Sequence, residues 1–272
     1  MPTEKEIPRE TCSPFGSYPN LLEITEEERH GFHPVVKYPS NSAPRVNDYE
    51  SAVGLASADE ILEAKRRNTW WNRLFRSLAR AFHGIIGLEH DADDIFGNIS
   101  SQWNIGKYDE NRLEMYSSEI FAEDNAVDTY SGKRTIHLGV DLGAPVGTKV
   151  YAFAGGKVHS LGYNADHGDY GYVVVIEHQL PAPERTVWAL YGHLDESAIQ
   201  GKRAGSKIKK GQVIGRIGDC HENGGWLAPH CHFQLSMRPP ETHDMPGASS
   251  MKDRQRALND YPDPRYVLGN VH

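Results

Sequence analysis

The most regular alternation in the chain is Pro229-His230-Cys231-His232-Phe233-Gln234-Leu235-Ser236-Met237. In an extended segment Cys231, Phe233, Leu235 and Met237 share one face, and His230, His232, Gln234 and Ser236 share the other. The pattern predicts a strand whose apolar face enters a core while two imidazoles sit side by side on its opposite face. Shorter apolar runs precede it at 149–154, 157–161, 172–178, 187–193 and 213–217, with Ile208 between them and Gly155-Gly156 as a turn. Many short runs broken by Gly, Pro and Asp every eight to twelve residues predict an antiparallel all-β domain from about Trp103 onward, not alternating βαβ units.

Upstream the pattern changes. Pro8, Pro14, Pro19, Pro34, Pro39 and Pro44 each fix φ and lack a donor, so long helices and central strands are not expected there. Phe15, Tyr18, Leu21, Leu22, Phe32, Val35, Val36 and Tyr38 are nevertheless too apolar for a solvated tail. The expected form is an extended arm lying on the main domain, with Cys12, His30 and His33 able to reach a metal or serving as ordinary surface residues. Ser57 and Glu60 make a capping box that starts a helix. Trp71, Phe75, Leu78, Phe82 and Ile86 give it an apolar stripe, and Lys65, Arg66, Arg67, Arg73, Arg76 and Arg80 cover the rest. Such a helix packs its stripe on its own domain or lies on an anionic membrane surface. The expected division is an arm over 1–56, a helical segment over 57–102 and a β domain over 103–272. A chain starting near Trp103 is expected to remain soluble and, if the arm crosses a cleft, to be the more active form.

Composition narrows the partners. The formal charge of -8 over 272 residues argues against a polyanionic partner such as nucleic acid. No apolar run is long enough for stable membrane insertion, and the first residues have no apolar signal-peptide core, so a cytoplasmic location is expected, with a removed leader or non-classical export as the alternatives. Cys12, Cys220 and Cys231 are too few and scattered for a disulfide framework.

The candidate chemistry lies in the β domain. His137 and Asp141, four apart in an extended segment, share a face, with Ile136, Leu138 and Val140 on the other. An Asp with two or three His makes a catalytic zinc set, three protein ligands and one position left for water. His193, His230 and His232 are the other candidates. The order His137-x-x-x-Asp141, Tyr191-Gly192-His193-Leu194 and Pro229-His230-Cys231-His232-Phe233, with the spacer 205–215, resembles the lysostaphin-type (LytM-like) zinc endopeptidases over about residues 105–240.

That resemblance implies an antiparallel β-sheet with an open cleft and a peptidase acting on bacterial wall peptides. It further implies Zn2+ held by His137, Asp141 and His232, with His193 and His230 as the unligated catalytic pair. Zinc held by two neutral imidazoles and a carboxylate lowers the pKa of its water to about 7. A His, whose ordinary pKa is about 6.5, suits the removal of that water's proton. Asn164 and Asp166, with Asp169, lie in a polar loop where the family has a cleft wall, and are either substrate-binding residues that hold a cationic group or plain surface loop. The loop 218–228 departs from the small, Ser/Thr/Gly-rich loop common in wall hydrolases, and Trp226 makes that wall bulkier. The stretches 103–112 and 263–270 look similar to the version of this domain found inside long cytoplasmic proteins between a kinase-like and an aminotransferase domain. The zinc motifs imply a peptide or peptidoglycan-type substrate, and this second likeness opens a non-wall substrate as the alternative. The alternatives are a non-catalytic LytM-like regulator and, from the likeness of 205–218 to biotinyl and lipoyl hammerheads, a carrier domain.

Overall fold

The computed structural model describes residues 21–39, 44–46, 55–67, 103–113, 115–116, 118–122, 130–181, 185–269 and 271. Twelve strands are assigned among them. They are β1 (Arg45–Val46), β2 (Asn104–Gly106), β3 (Arg134–His137), β4 (Val140–Gly143), β5 (Lys149–Tyr151), β6 (Gly156–Asn164), β7 (Gly171–Leu180), β8 (Arg185–Leu194), β9 (Lys207–Ile208), β10 (Val213–Arg216), β11 (His230–Ser236) and β12 (Ala248–Ser250). Eight of them form one sheet in the order β1-β2-β4-β11-β8-β7-β6-β9, and β10-β5 and β12-β3 make two small sheets. Apart from the parallel β1–β2 edge, the pairings in the large sheet are antiparallel. The mainly β, antiparallel fold class expected from the short apolar runs is the observed one.

The alternation read in the sequence is what orients this sheet. Cys231, Phe233 and Leu235 of β11, Val187, Ala189 and Tyr191 of β8, and Val174 and Ile176 of β7 all enter one large apolar cluster. The opposite parity of β7, Val173 and Val175, packs with Leu190, Tyr170 and Met245 in a smaller one. Strand β11 lies between β4 and β8, pairing His232 with Asp141 on one side and with Gly192 on the other. Two residues of the chemistry are thus direct cross-strand neighbours.

The described part of the arm belongs to the large cluster. Leu22, Ile24, Val35 and Val36 are buried within it, and the Phe32 ring meets Phe153 edge-on at 5.2 Å. Backbone bonds from His33 N to Phe153 O and from Tyr151 N to Val35 O fix the register. Between these contacts, α1 (Glu26–His30) is a single turn closed by a Thr25–Glu28 capping box. The Ser57–Glu60 capping box starts α2 (Ala58–Arg67), which packs through Ala64 and Ile61 on Cys220. The aromatic stripe from Trp71 to Ile86, and Cys12, lie outside the described residues. At the other end, α3 (Arg254–Asp260) and α4 (Arg265–Leu268) add Ala257, Leu258, Tyr266 and Val267 to the same large cluster. Among the described residues no helix is long and apolar enough to cross a membrane.

Candidate metal centre

His137 ends β3, Asp141 is the second residue of β4, and His232 faces both from the middle of β11. His137 Nε2 lies 3.0 Å from His232 Nδ1 and 3.2 Å from Asp141 Oδ1, and His232 Nδ1 lies 3.1 Å from the same oxygen. All three side chains are buried. The outward partners of the rings decide what these close approaches mean. His137 Nδ1 is 2.8 Å from the carbonyl oxygen of Lys107. A carbonyl only accepts, so Nδ1 carries the hydrogen and Nε2 presents a lone pair. His232 Nε2 is 2.9 Å from Gln234 Oε1, whose amide nitrogen donates to Pro246 O at 3.2 Å. That places the hydrogen of His232 on Nε2 and a lone pair on Nδ1.

Two lone pairs and a carboxylate oxygen therefore converge with no hydrogen between them. Burial, helped by the Arg112 guanidinium, pulls His137 down to about 3, which keeps the ring neutral. Burial alone would raise Asp141, but the neighbouring His137 and Arg112 outweigh it and hold the carboxyl well below the usual carboxylate range. This donor set fits a zinc ion. Bonds of about 2.0–2.1 Å at near-tetrahedral angles set neighbouring donors roughly 3.3 Å apart, close to the triangle observed. Among the described residues, His137, Asp141 and His232 converge as a metal-ligating group, whereas His33 turns to Pro34 O and the Tyr151 ring.

His193 and His230 stand beside this triangle with their rings 4.4 Å apart. His193 donates from Nδ1 to Asn223 O and His230 from Nδ1 to Ala228 O, both at 2.8 Å. Each therefore keeps an unprotonated Nε2, and that of His230 is 3.7 Å from Asp141 Oδ1. Burial, then the neighbouring imidazoles, pushes His193 well below its ordinary value, and burial also lowers His230.

The position of His193 required a break in the strand. Val187, Ala189 and Tyr191 face the core, so strict alternation would send residue 193 there too. A register shift against β7 between Tyr172 and Val174, with φ of 59° at His193, reverses the alternation. Leu194 then enters the core and the imidazole turns to the site. A positive φ at a bulky residue is strained, and such strain is retained where a side chain has to be re-aimed. The loop 218–228 secures the result. Asn223 Oδ1 accepts from the amides of Gly225 and Trp226, and its Nδ2 donates to Gly218 O and Trp226 O.

A cleft opens over His193 and His232. Tyr116, Ile120, Phe121, Asp166, Asp169 and Tyr170 are among the residues that line it. Tyr170 packs on both His193 and His232 and donates its hydroxyl to Met245 O. Asp166 lines the cleft, whereas Asn164 is buried behind it and donates from Nδ2 to Asp169 Oδ1 at 3.3 Å. Trp226 is buried with its ring centroid 6.0 Å from that of His193 and 6.2 Å from that of His230.

Residues 135–243, which contain both the converging triad and the histidine pair, match the sequence profile of peptidase family M23. That stretch belongs to peptidase family M23. The M23 region is similar to the peptidoglycan DD-endopeptidase ShyC of Vibrio cholerae serotype O1, with 30% identity over 130 residues, 46% of this chain and 27% of that protein. It is also similar to the catalytic domain of the prophage-encoded M23 protein EnpA from Enterococcus faecalis, at 29% identity and a TM-score of 0.32. That match covers 40% of this chain and 75% of the other. The catalytic domain of the antimicrobial peptidase lysostaphin from Staphylococcus simulans gives 25% identity and a TM-score of 0.31, covering 44% and 80%. The matches span between 18% and 32% of the curated relatives' own lengths.

Some of the groups around the M23 site carried no sequence signal. The Lys107 carbonyl is backbone, so no residue type announces it. Tyr170 and Arg112 have no diagnostic spacing to the histidines. Gln234 was readable in principle, because it shares the His232 face two residues on.

Proposed function

We propose that this chain is a zinc metallopeptidase that hydrolyses a peptide or amide bond of peptidoglycan-like or other small peptide substrates. The observation that carries the reading is the convergence of His137 Nε2, His232 Nδ1 and Asp141 Oδ1 as acceptor atoms, beside two imidazoles whose Nε2 atoms are also unprotonated. When bound there, zinc supplies Lewis-acid activation of the attacking water and of the scissile carbonyl.

The other steps fall to the chain's own side chains. One of the pair His193 and His230 accepts the water's proton at Nε2, and the same proton goes on to the leaving amine. Until that proton passes on, the ring that holds it is an Nε2–H donor to the oxygen on which charge develops. Their Nδ1–H bonds to Asn223 O and Ala228 O fix both tautomers and ring orientations before substrate arrives. Asp166 places a carboxylate in the cleft, which suits a substrate carrying an amino group nearby. The peptidoglycan class is supported by the names of the relatives, which include a peptidoglycan DD-endopeptidase.

The test is metal content and hydrolysis of peptidoglycan fragments and short peptides by the full chain, before and after chelation. His193→Ala and His230→Ala should each keep the metal and lose hydrolysis by about a hundredfold or more, the usual worth of a positioned acid or base. Release of metal by either variant would make that ring a ligand and redraw the division of the four histidines.

A further inference from the structure

Arg112 is 1% exposed, among the most completely buried large side chains of the chain. A guanidinium stays protonated at any physiological pH, so its burial demands anionic partners. Its Nη1 donates to Asp141 Oδ2 at 2.6 Å and its Nε to Glu110 Oε2 at 2.9 Å. Lys107 Nζ approaches the other Glu110 oxygen at 3.5 Å. The segment carrying these groups is held against β3 by backbone bonds from Arg112 N to Thr135 O, from His137 N to Glu110 O and from Asp109 N to His137 O. The same segment supplies the Lys107 carbonyl that fixes the tautomer of His137. It precedes residues 135–243, so these contacts come from outside the matched family region.

The two oxygens of Asp141 thus have different roles. Oδ2 is committed to a cation on the protein side. Oδ1 is the atom 3.1 Å from His232 Nδ1 and 3.2 Å from His137 Nε2. We propose that Arg112 is a positioning residue that restricts Asp141 to ligation through Oδ1 alone, with Glu110 holding the guanidinium in place. A bidentate carboxylate would fill the coordination position that a substrate or water needs. Drawing charge from the carboxylate also leaves more positive charge on the ion, the property that a Lewis acid requires. Lysine cannot replace this function fully, because a single ammonium lacks the fork that spans Glu110 and Asp141 together.

The inference rests on the metal-site reading proposed above, and its test separates the two. The full chain, the double variant Arg112→Met/Glu110→Gln and the single variant Arg112→Lys are loaded with Co2+ in place of zinc. The visible absorption spectrum of each is recorded, and zinc affinity is measured by competition with a chelator. The double variant removes Arg112 together with Glu110, so Glu110 is not left buried without its cation, and Asp141 has the metal as its counter-charge. Thermal unfolding of the metal-free proteins shows that each is folded.

The native protein should give the intense spectrum of a four-coordinate ion. The double variant should give the weaker spectrum of a five-coordinate one and bind zinc with an affinity changed by about tenfold or more, the usual scale for outer partners of a ligand. Arg112→Lys should fall between them. A folded double variant with the native spectrum and native zinc affinity would overturn the role of Arg112. If the double variant does not fold, Arg112→Lys decides: a native spectrum and affinity there overturns the role, and any shift toward the five-coordinate spectrum upholds it. Failure of the native chain itself to bind Co2+ or zinc would instead overturn the metal-site reading.

Discussion

Gly139→Ala is expected to empty the metal site while leaving the sheet folded. Gly139 sits between His137 and Asp141, where a Cβ would come 2.6 Å from both Cε1 and Nε2 of His232 and 2.9 Å from the carbonyl oxygen of Phe233. None of these atoms is the free end of a flexible side chain. The ring is held by its Gln234 bond, and Phe233 is in the paired part of β11. The added methyl must therefore push His232 out of the donor triangle or part β11 from the β3–β4 connection. With one of three ligands displaced, zinc affinity should fall by at least about 10–100-fold, the effect already seen for lesser, outer-shell changes. Chelator competition on the purified variant measures it, and circular dichroism reports the fold. Native zinc affinity in Gly139→Ala would show that the site tolerates a ring position other than the one described.

The second large effect concerns the N-terminal arm. A fragment beginning at Trp103 is expected to lose cooperative folding, the reverse of what the Pro-rich sequence suggested. Leu22, Ile24, Val35 and Val36 are all at or below 5% exposure within the main cluster. Burying four such side chains is worth about 6–12 kcal/mol before chain entropy, at roughly 1.5–3 kcal/mol each. That is comparable with the whole stability of a domain, about 5–15 kcal/mol. Arg185 adds an ion pair to Glu28 and a bond to Leu22 O. In the full chain Leu22→Ala alone should cost about 2–5 kcal/mol, measurable by denaturant unfolding. The exposed Glu27→Ala should stay within about 0.5 kcal/mol of native. A Trp103 fragment that unfolds cooperatively at the native midpoint would mean that the arm is a removable cover.

The arm shows where sequence reading reached its limit. Its apolar residues pointed to the main domain, but without periodicity they gave neither register nor depth, and only the fold shows that they enter the core beside Phe153. The metal triad was legible for the opposite reason. Parity on an extended segment paired His230 with His232 and His137 with Asp141, and the order of the motifs, through its resemblance to the lysostaphin-type endopeptidases, joined His137, Asp141 and His232 into one set. His193 defeats that rule. Counting from Val187 sends it into the core, and only the register shift and the positive φ return it to the cleft. Asn164 was misleading in the same way, a polar residue in a polar loop that proves to brace Asp169 from behind. Arg112 could not be read at all, since Glu110 two residues before it gives no sign of burial and its other carboxylate partner, Asp141, lies 29 residues on.

The zinc content of the purified full chain beside that of Asp141→Ala tests the ligand set. Asp141 is the one anionic donor of the triangle, and its Oδ1 lies within 3.2 Å of both ring nitrogens. Elemental analysis should find close to one zinc per native chain and little or none in the variant, with peptide hydrolysis present only in the first. Full zinc occupancy in Asp141→Ala, or hydrolysis by native protein stripped of metal, would contradict the account.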